Sequence, residues 1–143
     1  MKRVGVLVTS VLVLAACGGG GGGGGGNSDA AKVKQVWTSF FSSKTPVSQK
    51  PALVQNGSKF TAAINALANN PLAQNTSAKV SSVTLQGTDK ATVKYKIYLG
   101  STPAPIPAQT GLALKENGSW VIADASLCSL LKLEGSAPPA CKT

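Results

Sequence analysis

The chain has no histidine, five acidic residues and one methionine among 143 residues. Without histidine, the side chain that most often serves as a general base near neutral pH and as a metal ligand is missing. The five acids do not replace it. Asp89 sits in a turn, Glu116 beside a hairpin tip, Asp124 at a helix start and Glu134 at a helix end. None is expected to point into a core, where general acid–base chemistry needs a carboxylate within hydrogen-bond reach of substrate and with a shifted pKa. The sequence therefore points to no catalytic residue and to a protein that is not an enzyme. It implies no metal and no cofactor. A run of nine glycines, Gly18 to Gly26, lacks the following helix and the Lys-Ser/Thr ending of a phosphate loop. No apolar run reaches the ~20 residues of a membrane span.

What the chain does have begins at its N-terminus. Lys2 and Arg3 form a positive region, and Val4 to Leu14 an apolar one. Leu14-Ala15-Ala16-Cys17 then places small residues directly before a cysteine, a secretory signal with a lipobox. The pattern resembles bacterial lipoproteins, in which the cysteine receives a diacylglycerol and becomes the new N-terminus. That resemblance implies a signal peptide over residues 1–16, lipidation at Cys17, and a lipid-anchored position on the extracytoplasmic face of the cell membrane. Cleavage after Ala16 by an ordinary secretory route is the competing reading. Two acyl chains anchor stably where one is marginal, because each buried CH₂ contributes ~0.8 kcal/mol. Residues 17–28, glycine-rich and ending Asn27-Ser28, are expected to be a flexible tether. Its nine glycines give a root-mean-square reach of roughly 16 Å. Residues 29–143 suit one domain of ordinary size.

Charge and cysteine usage fit export. Once Lys2 and Arg3 leave with the signal, twelve lysines face five acids and no arginine remains, a balance of +7. The loss of arginine removes the usual bidentate reader of phosphate and base edges. The lysines are spread singly, so nucleic acid is not expected as a partner. A modest attraction to anionic headgroups or acidic envelope polymers remains compatible with the composition. With Cys17 taken by lipid, Cys128 and Cys141 are an even pair in an oxidising compartment, and a disulfide is expected. Closing a loop of that length is worth on the order of 3 kcal/mol. A zinc site is the alternative, but two thiolates without histidine do not make a structural one.

Periodicity organises the rest. Val33, Val36, Trp37, Phe40 and Phe41 fall on one helical face, with Asp29 as the expected N-cap and Lys44-Thr45-Pro46 as the stop. Pro51 to Gly57 reads as a short turn or a single helical turn. A second helix is expected from Ser58, its N-cap, to Asn70, burying Phe60, Ala63, Ile64, Leu67 and Ala68. From Ser77 the period becomes two, through Val83 and Leu85 to a turn at Gly87-Thr88-Asp89-Lys90. Ala91, Val93, Tyr95, Ile97 and Leu99 then face one way, and Thr92, Lys94, Lys96 and Tyr98 the other, as a sheet covered on one side requires. Pro103, Pro105 and Pro107 predict an extended crossing that does not pair. Asn117-Gly118 between apolar runs predicts a hairpin, with Trp120 and Ile122 on its return strand. Asp124 or Ser126 can cap a last helix carrying Leu127, Leu130, Leu131 and Leu133, which Gly135 ends.

Helices first, then about four antiparallel strands and a short helix, make an α+β domain with two or three helices on a curved sheet. The order resembles the cystatin-like and nuclear transport factor 2-like cone. More narrowly, the chain resembles the low-molecular-weight antigen family of mycobacteria and related actinobacteria. The resemblance rests on the Val36-Trp37 to Phe41 helix, the Phe60 to Leu67 helix, Asn117-Gly118-Ser119-Trp120-Val121-Ile122, and Ala125-Ser126-Leu127-Cys128. It implies a small exported or lipid-anchored envelope protein with no catalytic residues to carry over.

Such a cone can hold an apolar ligand between helices and sheet. The candidate pocket is Trp37, Phe41, Ile64, Tyr95 and Trp120, with the Tyr95 hydroxyl orienting a lipid-like molecule. Core packing is the commoner role for two such tryptophans and for a tyrosine on a dry strand face. The reading that follows is a non-catalytic envelope lipoprotein. It binds a small apolar or envelope-derived ligand or docks to a membrane complex. The alternative is a surface protein or antigen acting through the exposed sheet face around Lys94, Lys96 and Tyr98.

Overall fold

The computed structural model describes residues 26–135 and 137–142. It is an α+β domain in which three α-helices and several 3-10 turns pack on one face of an antiparallel sheet. α1 (Gly26–Phe41) crosses the sheet and is followed by 3-10 helices at Val47–Leu53 and Gly57–Phe60. α2 (Thr61–Asn69) leads through a 3-10 turn to β1 (Thr76–Gln86), β2 (Lys90–Leu99) and the two-residue β3 (Thr102–Pro103). β4 (Gln109–Glu116), β5 (Ser119–Ile122) and α3 (Asp124–Leu133) complete the domain. The sheet order is β1-β2-β4-β5, and β3 pairs with β2 beyond the end of β4.

α1 already includes Gly26, Asn27 and Ser28, which the sequence assigns to the tether, so the domain starts earlier than expected. Asp29 is consequently inside the first turn and not the N-cap. Its carboxylate is still well placed there, because the exposed N–H groups of a helix start attract negative charge. Ser58 likewise caps nothing. It lies within the 3-10 helix Gly57–Phe60, and Phe60 takes the N-cap position of α2 without a side-chain hydrogen bond. A tight 3-10 entry is imposed by Gly57, where any Cβ would fall 1.8 Å from the Pro51 carbonyl oxygen.

β1 and β2 pair over their whole length, but the register slips between Val80 and Ser82. That bulge at Ser81 reconciles two apolar phases. Ala78 and Val80 point inward before it, and Val83 and Leu85 after it. One extra residue flips the pleat and keeps all four on the covered face. β2 alternates as the sequence predicts, with Ala91, Val93 and Tyr95 buried and Lys94 exposed. Thr102 and Pro103 do pair, opposite Leu99 and Tyr98, where a non-pairing crossing was expected. Proline still has a carbonyl to offer, and a two-residue edge needs no donor from it. Asn117 and Gly118 both adopt positive φ, 50° and 79°, the conformation of a type I′ hairpin turn.

The covered face of the sheet is lined by small residues. Ala78, Ala91 and Ala113 are at most 6% exposed. At Gly111 an added Cβ would lie 2.4 Å from Trp37 Cζ2. The missing volume is filled by Trp37, Phe40 and Val33 from α1 and by Tyr95 and Trp120 from the sheet. Leu112 and Leu114 consequently fall on the opposite face, both half-buried.

α3 buries Leu127, Cys128 and Leu131. Leu133 is 59% exposed, because six residues from Leu127 it lies off the buried face. Ala123 occupies its N-cap position. Asp124 accepts a 2.7 Å bond from the Ala125 N–H and a 3.0 Å bond from the Asn56 amide. Ser126 takes a different role, accepting from the Leu112 N–H at 2.7 Å. It continues the edge of β4 where β5 has ended. Cys128 and Cys141 form a disulfide that ties the C-terminal tail to α3.

Candidate functional site: an apolar cleft at the open end of the interior

The interior of the domain is closed at one end and open at the other. At the closed end Trp37 is fully buried, with its ring 5.6 Å from that of Tyr95. Tyr95 is 2% exposed, and burial pushes its phenol up to about 12. The Trp37 indole N–H partly opposes that shift through its contact with the hydroxyl, yet falls short of good hydrogen-bond geometry. Trp120, 4% exposed, flanks the start of α1. Its indole N–H is the strongest influence holding the Asp29 carboxyl below the usual carboxylate range, although it too lacks hydrogen-bond geometry. Partial burial of Asp29 works against this lowering. Lys115 also contributes to it, and its Nζ sits 3.3 Å from Asp29 Oδ2. This pair joins the first turn of α1 to β4.

At the C-terminal end of α1 the helices and sheet diverge around a cleft of about 970 Å³. Phe40 and Phe41 come from α1, and Ala63, Ile64 and Leu67 from α2. Ile97 and Leu99 close it from β2, Ala104 and Ile106 from the proline-rich segment, and Leu127, Leu130 and Leu131 from α3. Lys50 and Glu134 are its charged lining residues. Burial pushes the Lys50 ammonium down and the Glu134 carboxyl up, so each is biased toward its neutral form. Lys50 Nζ lies 5.9 Å from the Phe40 ring centroid, a cation–π distance.

The five residues proposed from sequence divide between the two ends. Phe41 and Ile64 line the cleft. Phe41 bridges toward the closed end, 5.4 Å from Phe40 and 5.8 Å from Tyr95. Trp37, Tyr95 and Trp120 do not line it. They are packed in the core with the small residues of the sheet. The sequence missed Leu72, Leu99, Ala104 and Ile106 as cleft residues. The signal available was the apolar character of Leu72 and Ile106 in segments otherwise polar or rich in proline. Cys17, with residues 1–16 and nearly all of the expected tether, lies outside the described residues.

No helix of the described residues is long and apolar enough to cross a membrane. Among the described residues no three His, Cys, Asp or Glu side chains cluster as a metal site would need.

The family model described as "Low molecular weight antigen MTB12, C-terminal domain" matches residues 27–138. A crystal structure of a protein of unknown function with a cystatin-like fold, from Nostoc punctiforme, is similar over 64% of this chain and 84% of its own. The identity is 16% and the TM-score 0.48. Among curated proteins none matches.

Proposed function

We propose that this chain, which belongs to the family of the low molecular weight antigen MTB12 C-terminal domain, is a non-catalytic envelope lipoprotein whose cleft holds a small apolar ligand. The observation that carries this reading is where the exposed apolar side chains collect. Among the described residues four large hydrophobic side chains are exposed, Val47, Leu72, Leu99 and Leu133. The first three line the cleft, and Leu133 adjoins the lining residue Glu134. Large apolar side chains left in water around one concavity mark a binding site more often than chance exposure does. Depth comes from Ile64, Leu127 and Leu131, each 1% exposed. The apolar part of the lining suits an acyl chain or a similar slender apolar body, and Lys50, Glu134, Asn70, Gln74 and Asn75, which also line the cleft, are available to orient a polar end.

The Lys2 to Cys17 signature supports attachment to the outer face of the cell membrane through a diacylglycerol on Cys17. Feeding cells a clickable palmitate analogue tests this directly. Label is expected on the full chain and none on Cys17→Ala.

Ligand uptake is tested with cis-parinaric acid, whose fluorescence rises in a dry site. Saturable binding is expected for the full chain, weakened at least tenfold by Ala63→Leu and Leu67→Trp, which fill the cleft. Tyr95→Phe, at the closed end, is expected to leave it unchanged. An absence of saturable uptake, or uptake indifferent to both cleft-filling changes, rejects the reading.

A further inference from the structure

The uncovered face of the sheet carries a lysine array that the cleft does not use. Register places Lys79 directly opposite Lys96, and Ser82 opposite Lys94. Lys90 lies farther along the same strand as Lys94 and Lys96, opposite Gln86 on one side and Leu114 on the other. All four lysines alternate with buried residues of β1 and β2 and so share the outer face. Between them stand the hydroxyls of Thr84 and Thr92, which pair with each other, and Thr110, which pairs with Lys94. Tyr98 completes the face, with Lys79 Nζ 4.2 Å from its ring centroid.

Four of the five acids lie off this face, and Glu116, which alternates onto it with Leu112 and Leu114, is engaged at the far end of β4. Asp29 pairs with Lys115 on the covered side. Asp89 occupies the β1–β2 turn, and Glu116, at the far end of β4, accepts a 2.8 Å bond from Gln55. Asp124 accepts from Asn56 at the start of α3, and Glu134 is on the cleft. Among the described residues Asp29–Lys115 is the sole ion pair. Like charges facing each other across two strands are destabilising, and Lys79 opposite Lys96 is such a pair. The sheet thus carries a repulsion that an anionic surface relieves.

We infer that this outer face, centred on Lys79, Lys94 and Lys96, seats the domain on the headgroups of an anionic phospholipid bilayer. Charge complementarity carries the inference, and the choice of a bilayer rests on the membrane-anchored reading above. Lysine is a compact point charge with no fork to select one phosphate. A strand surface of lysines and hydroxyls, bordered on β4 by the half-buried Leu112 and Leu114, therefore suits a diffuse anionic surface better than a single bound phosphate. Each lysine near such a surface adds a similar increment of attraction. Seating on this face also orients the cleft. Tyr98 on the outer face is followed by Leu99 on the cleft, so the mouth opens sideways close to the headgroups. The start of α1 at Gly26 lies at the other end of that helix, roughly 24 Å away for 16 residues. A domain merely hanging from its N-terminus would carry the mouth away from the lipid.

Vesicle flotation of residues 18–143 without lipid tests the face independently of the anchor and of the cleft. Among the described residues every core residue falls between Val33 and Cys141, and this segment contains them all. Binding is expected to phosphatidylglycerol-containing vesicles and not to pure phosphatidylcholine, and to fall steeply with added salt. The triple change Lys79→Gln, Lys94→Gln, Lys96→Gln is expected to lower partitioning roughly 100-fold. Neutralising Lys32, Lys34 and Lys59, which removes the same charge elsewhere, is expected to lower it much less. Equal losses from both triples, equal binding to both vesicle types, or preference for soluble polyphosphate over vesicles each overturns the inference. Parinaric acid uptake by the sheet-face triple, expected to be intact, separates failure here from failure of the cleft.

Discussion

The two ends of this domain's interior are built from the same materials and finished in opposite ways. At the closed end, four positions on the sheet are reduced to alanine or glycine, and Trp37, Tyr95 and Trp120 fill the volume released. Gly111 leaves no room for even a methyl group beside Trp37. At the open end the apolar residues are as numerous, but their partners stand apart. Leu72 keeps 66% of its surface in water and Leu99 38%. Interiors packed to crystal-like density derive stability from contacts on every side. A side chain at the mouth forgoes most of that. The contrast teaches where stability and binding reside, and it separates under mutation.

The largest effect is expected at the closed end. Trp37→Ala removes a fully buried indole from between the Tyr95 ring and a sheet wall of Gly111 and alanines, which has no side chains to move into the gap. A loss of about 3–5 kcal/mol is expected, measured as a fall in the urea midpoint at constant m-value. A loss under 1 kcal/mol would show that the closed end is loosely packed and remove the contrast.

Next comes the Cys128–Cys141 disulfide, which holds the tail against α3 at the border of the cleft. Replacing both cysteines with serine is expected to cost about 3 kcal/mol by releasing a short loop in the unfolded chain. The comparison becomes sharper if this change alters parinaric acid uptake while Trp37→Ala, in whatever fraction stays folded, does not.

The closed end was the more legible of the two from sequence. The 3.6-residue spacing of Val33, Trp37 and Phe40 and the alternation from Ala91 to Ile97 name most of its large residues, and Asn117-Gly118 fixes the turn that returns Trp120. Periodicity reports which face is dry, however, and not how far away the opposing wall stands. That distance decided which aromatics were core and which lined a cleft, and it depends on alanines and Gly111 whose meaning appears only once Trp37 lies over them. The bulge at Ser81 was written in the three-residue step from Val80 to Val83, but a single strand carries no sign of which neighbour absorbs the slip. Ser126 read as a helix cap because its role requires the Leu112 amide, fourteen residues away. Beyond α2 the mouth is assembled largely from loop residues and strand ends, where no period exists to read.

Tyr95 gives a pH test of the closed end. Its phenol is pushed from 10.0 to about 12, chiefly by burial, so the folded state favours the neutral form. The resulting stability is complete below pH 10 and is lost as pH rises toward 12. Two units correspond to about 2–3 kcal/mol at most. Chemical denaturation across that range is expected to show a decline that Tyr95→Phe largely abolishes. An unchanged alkaline slope in the variant would mean that the hydroxyl reaches water and that the interior is not sealed there.

The smallest effect on stability belongs to the mouth, and there smallness is the diagnostic. Leu72→Ser removes a side chain that is already mostly in water, so the transfer term it gives up is slight. Replacing an exposed leucine away from caps and buried partners is expected to change stability by no more than about 0.5 kcal/mol. Uptake of parinaric acid responds to a different quantity, the apolar area that closes over the probe. Burying about 40 Å² less against an acyl chain costs about 1 kcal/mol at 25 cal/mol per Å², a fivefold loss of affinity. Leu72→Ser with wild-type stability and several-fold weaker uptake places binding at the open end alone. If stability fell as well, Leu72 would be a structural residue and the mouth more closed than its exposure implies. If neither quantity moved, the probe would lie elsewhere, and the exposed leucine would be left without a role in the cleft.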